Sequence, residues 1–523
     1  MSQISAEPKS FVQKILDVVE KVGNKVPHPA VIFLILIGLV IVLSHLLWLQ
    51  GVSVTYEEIN EKTYVIEKKT TAVNSLLTKD GVRFMYERLI PNFMSFTAVG
   101  LMITAMIGVG VAEESGLIKA LIRKLVIVAP AWALCYILVF VGIVSSIAAD
   151  AGYLVLIPLA GTAFLSVGRH PIAGLAAGFA SVAGAFTVNM LIKPLDAVLT
   201  EFTNDAIHLV DPTKSIGLTS NLWFSLASVV FLTFIMTWIT ERLIEPRLGK
   251  YQPPAPDHAD TTNTAGKTSD SDATLSAAES RGLLFAGLGL MAVLGLFAWL
   301  SLPADAPLRD PETGALIGNS PFMNGLIAII MVLFLVMGTA YGYGAGTLNS
   351  VTAIIKAMEK ALSGLGGLLL LFFIISQFVA MFNHSNMATI LAVTLADTLK
   401  SANIGPLWLL VGFIIVVALL DFLISGAIAK WAIFAPIFVP VLMRLNVDPE
   451  AVLAAYRIGD SPVNTITPLN AYFALVVGFA MKYDKKAGVG TVVSLMLPYV
   501  LITFVLWTLL FVGWFLLGIP WGL

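Results

Sequence analysis

Apolar stretches about 20 residues long recur along the chain, set apart by short polar segments. A helix rises about 1.5 Å per residue, so about 20 apolar residues cross the hydrocarbon core of a bilayer. The pattern predicts crossing helices at 28–50, 92–112, 171–196, 221–242, 281–302, 322–342, 364–384, 450–481 and 491–517. Two further apolar regions, 128–166 and 404–444, are too long for one crossing. Each is interrupted midway, by Ser145 to Gly152 (SSIAADAG) and by Ser425 to Trp431 (SGAIAKW). They read as re-entrant hairpins that enter half-way and return. The runs are continuous rather than alternating, which points to helices and not to barrel strands. The expected fold class is an all-α polytopic membrane protein of nine transmembrane helices plus two re-entrant hairpins.

The polar segments orient this arrangement. Residues 1–27 form a charged, mildly amphipathic segment. No small-residue cleavage site follows the first apolar run, so that run is expected to stay as an anchor. With Lys9, Lys14, Lys21 and Lys25 inside, nine crossings also place Lys119, Arg123, Arg169, Arg247, Lys360 and Lys485 inside, as the positive-inside rule asks. Counting the hairpins as crossings would put the basic loop after residue 242 outside. Segment 51–91 reads as an exposed outside loop. Residues 251–281 are polar and rich in Ser, Thr, Asp and Ala, without apolar periodicity, and read as a linker between two halves.

The halves repeat. A shift of 278 positions lays Pro158 on Pro436, Pro171 on Pro449, Ala176 on Ala454 and Thr187 on Thr465; after a four-residue gap, PLDA at Pro194 meets PLNA at Pro468. The first copy starts inside and the second outside, which makes them inverted-topology repeats. The division is then a cytoplasmic N-terminal segment (1–27), a first repeat (28–242), a cytoplasmic linker (243–280), an extra span with an outside loop (281–321) and a second, inverted repeat (322–523).

Composition agrees. Of 523 residues, 58% are hydrophobic and only 12% charged, against about 25% charged in soluble domains; mean hydropathy is +0.89. A net charge of −2 gives no reason to expect a nucleic-acid partner. The single cysteine, Cys135, excludes an internal disulfide. HExxH, CxxC, Walker-type and GxSxG motifs are absent, which removes the usual hydrolase and ATPase readings. No enzyme and no cofactor is expected.

The chemistry concentrates in Tyr456 to Asn470, YRIGDSPVNTITPLN, where breakers (Gly459, Pro462, Pro468), polar groups and the charges Arg457 and Asp460 sit inside apolar sequence. A charge at mid-membrane costs about 2.5–3.5 kcal/mol on insertion scales, and broken backbone at that depth is tolerated only in protein or around a wet cavity. The segment therefore reads as a binding site at a discontinuous helix. Arg457 and Asp460, at i and i+3, are placed to pair; that pair would equally serve as a tie between helices. Arg457 is suited to holding a carboxylate bidentately, with Asn464 nearby, and Asp460 to carrying a proton or cation. In the first copy, Asn189 and Asp196 are the counterparts. Asp196 falls near the expected end of its span, where a water-facing helix-end carboxylate is the plain alternative, and Lys193 stands beside it to neutralise it. The tips bring Ser145, Ser146 and Asp150 in one hairpin, and Ser425, Lys430 and Trp431 in the other. Trp431 suits stacking on an aromatic cargo or plain packing; Lys430 suits snorkelling. For a Na⁺ ion the candidate donors are Ser146, Asp460 and Thr465. His28 and His170, each before a proline, read as boundary residues, as does Asn383 to Asn386.

At these residues the chain resembles the AbgT family of aminobenzoyl-glutamate transporters. The resemblance rests on GNKVPHP (from Gly23), GVGVAEESGL (Gly108), GYLVLIPL (Gly152), GRHPIAGLAA (Gly168), IEPRLG (Ile244), QFVAMFNHSNM (Gln377), KWAIFAPIFVP (Lys430) and AAYRIGDSPVNTITPL (Ala454). It implies a homodimer in a bacterial inner membrane, with the N-terminus cytoplasmic and a transport core beside a dimerisation scaffold. It implies secondary active uptake of p-aminobenzoyl-glutamate, or export of p-aminobenzoate and sulfonamide antimetabolites, by symport or antiport with H⁺ or Na⁺. The family's site residues fall on Asp196, Trp431, Pro449, Arg457 and Asp460. The chain departs from the family pattern at Ser146-Ile147, Gly426, Ile428 and Asn470. The rival readings are a carrier of another organic anion, such as a dicarboxylate, and a channel-like membrane protein.

Overall fold

The computed structural model describes residues 27–59, 66–147, 152–251, 275–317, 320–401, 404–421, 424, 426–467, 470 and 472–523. Asp150, Ser425 and Pro468, with residues 1–26, 252–274, 468–469 and 471, lie outside the described residues.

From the N-terminal side the elements are α1 (Pro29–Leu49), β1 (Ser53–Ile59), β2 (Ile66–Ala72), α2 (Lys79–Glu87), α3 (Leu89–Met94), α4 (Thr97–Glu114) and α5 (Leu117–Ile127). The first interrupted pair follows, α6 (Leu134–Val144) and α7 (Ile157–Ser166), then α8 (Pro171–Gly184) and α9 (Pro194–Ile207). Helix α10 (Leu222–Ile239) runs on through a π turn to Leu248. The second half holds α11 (Ala277–Ser301), α12 (Leu326–Ala345), α13 (Val351–Ser363), α14 (Gly366–His384) and α15 (Met387–Ser401). It continues with α16 (Pro406–Leu420), α17 (Ala427–Met443), α18 (Pro449–Asp460), α19 (Phe473–Met481) and α20 (Val489–Leu516). Among the described residues, seven helices are long and apolar enough to cross a membrane: α1, α4, α10 with its extension, α11, α12, α14 and α20. Many of their large apolar side chains face outward, such as Leu34, Ile35, Trp299 and Leu501, as a lipid-facing surface requires.

Three features depart from the sequence reading. Segment 51–91 is not a plain loop. β1 and β2 pair antiparallel from Ser53 opposite Ala72 to Ile59 opposite Ile66, so the chain is not purely α; the β-branched and aromatic residues Val54, Thr55, Tyr56, Ile59, Ile66, Thr70 and Thr71 favour a pleated ribbon. Its end is tied to the α14–α15 turn, where Asn386 (φ +60°) donates to the Ala72 carbonyl and Asn74 N–H to that of Ser385. Second, the run expected at 171–196 as one crossing is two helices, α8 and α9, with a non-helical break; the run at 450–481 is discontinuous as its breakers suggest, with α18 and α19 flanking a 3-10 turn at Pro462–Thr465. Proline at N1 starts a helix as readily as an internal proline ends one, so the helix that begins at Pro194 continues to Ile207. Asp196 therefore sits in the first turn of a second segment and not at the end of a span. Third, α11 begins at Ala277, four residues before the expected start, because Ser276 and Glu279 form a capping box.

His28 and His170 are helix N-caps: their Nδ1 atoms accept from Ala30 N–H (3.2 Å) and Ile172 N–H (3.3 Å). The His-Pro dipeptide thus caps with the ring and fixes φ with the proline. Beside His170, Arg169 grips Glu245 through Nε (3.0 Å) and Nη2 (2.6 Å).

Candidate functional site

The breaks in the two interrupted helices meet. Thr187, between α8 and α9, donates through Oγ1 to the Arg457 carbonyl (2.9 Å), and its backbone N–H donates to Ser461 Oγ (3.1 Å). Each break leaves backbone groups without helical partners; here one break satisfies the other. Gly459 allows a further close approach. A Cβ there would stand 2.6 Å from Val417 Cβ and 2.8 Å from the Ile414 carbonyl, so only glycine lets α16 lie this near α18.

Arg457 and Asp460 are placed on successive turns of α18 but do not pair. Arg457 Nη1 reaches across to Asp196 Oδ1 (2.7 Å) and the Thr187 carbonyl (2.5 Å), and its Nε donates to Asn221 Oδ1 (3.2 Å). Asp196 Oδ2 accepts from the Lys193 backbone N–H (2.9 Å). Asp460 pairs with Lys430, Nζ to Oδ1 2.6 Å, and Lys430 also contacts Asp421 Oδ1. Lys430, Asp421 and Asp460 are all fully buried. Lys430 does not snorkel: it enters the core from the first turn of α17, where two carboxylates await it. The reason the expected pair fails is geometric, since each member has a better-aimed partner on another helix.

Trp431 packs with 0% exposure against Tyr456, ring centroids 4.5 Å apart. Its Nε1–H is shared between the Leu199 carbonyl (3.0 Å) and Thr203 Oγ1 (3.1 Å) on α9. The Tyr456 hydroxyl lies 2.5 Å from the Ala427 carbonyl and 3.1 Å from Asp460 Oδ1. Pro449 is the buried first residue of α18. Asn464 donates to the Asp460 carbonyl (2.9 Å) and, through its own carbonyl, accepts from Asn470 (2.9 Å).

At the first tip, Ser145 Oγ donates to the Gly142 carbonyl (2.7 Å) and Ser146 Oγ to that of Ile143 (2.9 Å). Asn189 Nδ2 donates to Ser146 Oγ (3.0 Å) and the Val144 carbonyl (2.9 Å). Thr465 Oγ1 turns to the Pro462 carbonyl (2.9 Å). Ser146, Asp460 and Thr465 thus hold separate partners, and no hydrogen bond links the three. Ser425 lies outside the described residues.

Both tips and the first break line one cavity of about 640 Å³: Ser146 and Ile147, Gly426 to Ala429, and Phe186 with Lys193 to Leu195. Its other walls come from α4 and from 360–371. That volume suits a drug-sized organic molecule. The sequence reading did not name Asp421 or Asn221, and gave Thr187, Ser461 and Tyr456 no role in the site. Asp421 carried a signal, as a lone carboxylate next to the second tip; the others are ordinary polar or aromatic residues whose partners only the fold supplies.

Known proteins match this chain over nearly its whole length. A model of the AbgT putative transporter family matches residues 14–523. The p-aminobenzoyl-glutamate transport protein of Escherichia coli (strain K12) is 34% identical over 522 residues, covering 100% of this chain and 98% of that protein. The YdaH transporter of Alcanivorax borkumensis superposes with TM-score 0.86 at 39% identity, over 95% of this chain and 100% of its own. The MtrF protein of Neisseria gonorrhoeae, from a class of antimetabolite efflux pumps, superposes with TM-score 0.88 at 38% identity, over 96% of this chain and 97% of its own.

Proposed function

Since the chain belongs to the AbgT family of transporters and is not an enzyme, we propose that it is a secondary active transporter of p-aminobenzoyl-glutamate or of p-aminobenzoate and sulfonamide antimetabolites. The observation that carries this reading is the 640 Å³ cavity bounded by both tips and by one of two crossed helix breaks that hold buried ion pairs. The printed functions of the relatives supply the cargo class.

The driving ion is H⁺ or Na⁺. One ammonium, Lys430, stands between two buried carboxylates, Asp421 and Asp460, which leaves one negative charge in excess. Asp421 Oδ2 and Asp460 Oδ2 have no hydrogen-bond partner among the described residues. A proton or monovalent cation completes such a cluster, and its loss or gain alters the link between α16, α17 and α18. In this reading Asp460 couples the ion, and Asp196 couples through Arg457, so that the first and second repeats respond together. The seven long helices with the two interrupted ones make nine crossings, and α6–α7 and α16–α17 act as re-entrant hairpins. The protein works as a homodimer in the bacterial inner membrane with its N-terminus in the cytoplasm.

The test is uptake of labelled p-aminobenzoyl-glutamate, and of a sulfonamide, into proteoliposomes with Na⁺ and proton gradients imposed separately. Flux that requires one gradient and disappears in Asp196→Ala and Asp460→Ala supports the reading and names the ion. Flux that persists fully in both variants refutes the coupling roles. Absence of flux for either compound under every gradient moves the cargo to another organic anion.

A further inference from the structure

The cations around the crossing differ in what they hold. Arg457 is occupied by Asp196 and the Thr187 carbonyl. Lys430 is occupied by Asp421 and Asp460. At the edge of the cavity Lys360 holds Glu114 at 2.6 Å. Lys193 stands apart. It is only 1% exposed, yet it lines the cavity, and its Nζ meets two neutral oxygens, Ser146 Oγ at 3.1 Å and the Phe186 carbonyl. Among the described residues no carboxylate lies within ion-pair distance of that Nζ. Its neighbour Asp196 pairs with Arg457 and with the Lys193 backbone N–H rather than with the Nζ.

An ammonium taken out of water without a counter-anion costs several kcal/mol. A fold keeps such a group where a ligand or a wet cavity meets the charge. We propose that Lys193 is the anion-binding residue of this cavity and takes a carboxylate of the cargo. This rests on the transport reading above, and it assigns to Lys193 the carboxylate-holding role that the sequence suggests for Arg457.

The surroundings favour it. Lys193 directly precedes α9, a 14-residue helix whose N-terminal dipole end adds positive potential. Ser146 links Lys193 to the first tip and, through Asn189, to the break. Ala427 to Ala429 of the second tip face the same cavity, so an anion on Lys193 lies where both repeats border it. Met102, Met106, Leu368 and Leu371 supply an apolar wall for an aryl ring.

The experiment is equilibrium binding of labelled p-aminobenzoyl-glutamate, and of its uncharged diamide, to the purified full chain in detergent, for wild type, Lys193→Arg, Lys193→Met and Lys193→Gln. The expected result is a loss of about tenfold or more in carboxylate affinity for the Met and Gln variants, the size of one charged hydrogen bond. Diamide affinity stays unchanged, and the Arg variant keeps most of the binding. Lys193→Gln retains a hydrogen-bond donor toward Ser146, and carries the comparison if the Met variant does not fold. Undiminished carboxylate binding in folded Met or Gln variants overturns the inference and leaves the transport reading standing. Equal loss of both ligands with a lowered melting temperature shows a structural lysine and likewise overturns it. A wild type that does not bind p-aminobenzoyl-glutamate overturns that cargo reading, and this assignment with it.

Discussion

Lys430→Met is the sharpest test of the buried charge cluster. The substitution keeps the length of the side chain and removes its charge at a position with no exposure. The lost partner is 2.6 Å from Asp460 Oδ1 and in contact with Asp421. At an effective dielectric constant near 20, a unit pair at 2.6 Å attracts by about 6 kcal/mol. Desolvation of the ammonium offsets much of that, and removal of one partner from a buried pair costs about 3–5 kcal/mol on measured scales. Two carboxylates would be left facing one another among Tyr456, Trp431 and Ala427. A second construction separates charge from packing. In Lys430→Met/Asp421→Asn/Asp460→Asn the cluster is neutral, so most of the lost stability should return while gradient-driven accumulation does not. Melting in detergent, followed by fluorescence-detected size exclusion, reads the first effect, and proteoliposome uptake reads the second. A single Lys430→Met variant that melts like wild type would refute the reasoning, because it would mean that the carboxylates never needed the ammonium.

Other outcomes follow from the same contacts. Gly459→Ala should lower the melting temperature, since the added methyl meets Val417 and the Ile414 carbonyl at under 3 Å and overpacking costs about 1–3 kcal/mol; a variant stabilised by its better helix propensity would show that α16 does not pack there. Thr187→Val keeps shape but strips the Arg457 carbonyl of its donor, with an expected loss of about 1–3 kcal/mol in a denaturation series. Outside the membrane-spanning segments, burial holds the His170 ring below its usual value of 6.5 against the opposing pull of Glu245. The folded state then binds fewer protons than the unfolded one, so the cap's contribution is present above pH 6.5 and fades as pH falls through the folded value. His170→Asn, which also caps, should flatten that part of the stability–pH curve; an unchanged slope would place the dependence elsewhere.

The sequence by itself determined the membrane class, the positions of the long helices and the two interrupted apolar regions, because those depend on run length and on breakers that act locally. The prolines of the repeated PLDA and PLNA segments are local breakers in the runs at 171–196 and 450–481, and the His-Pro dipeptides mark helix starts. The ribbon of β1 and β2 was not legible, because IEKKTTA is polar over most of its length and shows no apolar–polar alternation. Pairing was a different matter. Arg457 and Asp460 are three residues apart, and local spacing favours their contact; only the packing of α9 and α17 against α18 brings Asp196 to Arg457 and Lys430 to Asp460. Asp421 gains its meaning from Gly459, which lets α16 approach α18, and Lys193 from a cavity whose walls come from both halves of the chain. An ion pair or a cavity wall is a relation between distant segments. Its energy depends on ångström-scale separation and on exclusion of water, and both are set by tertiary packing rather than by the order of residues.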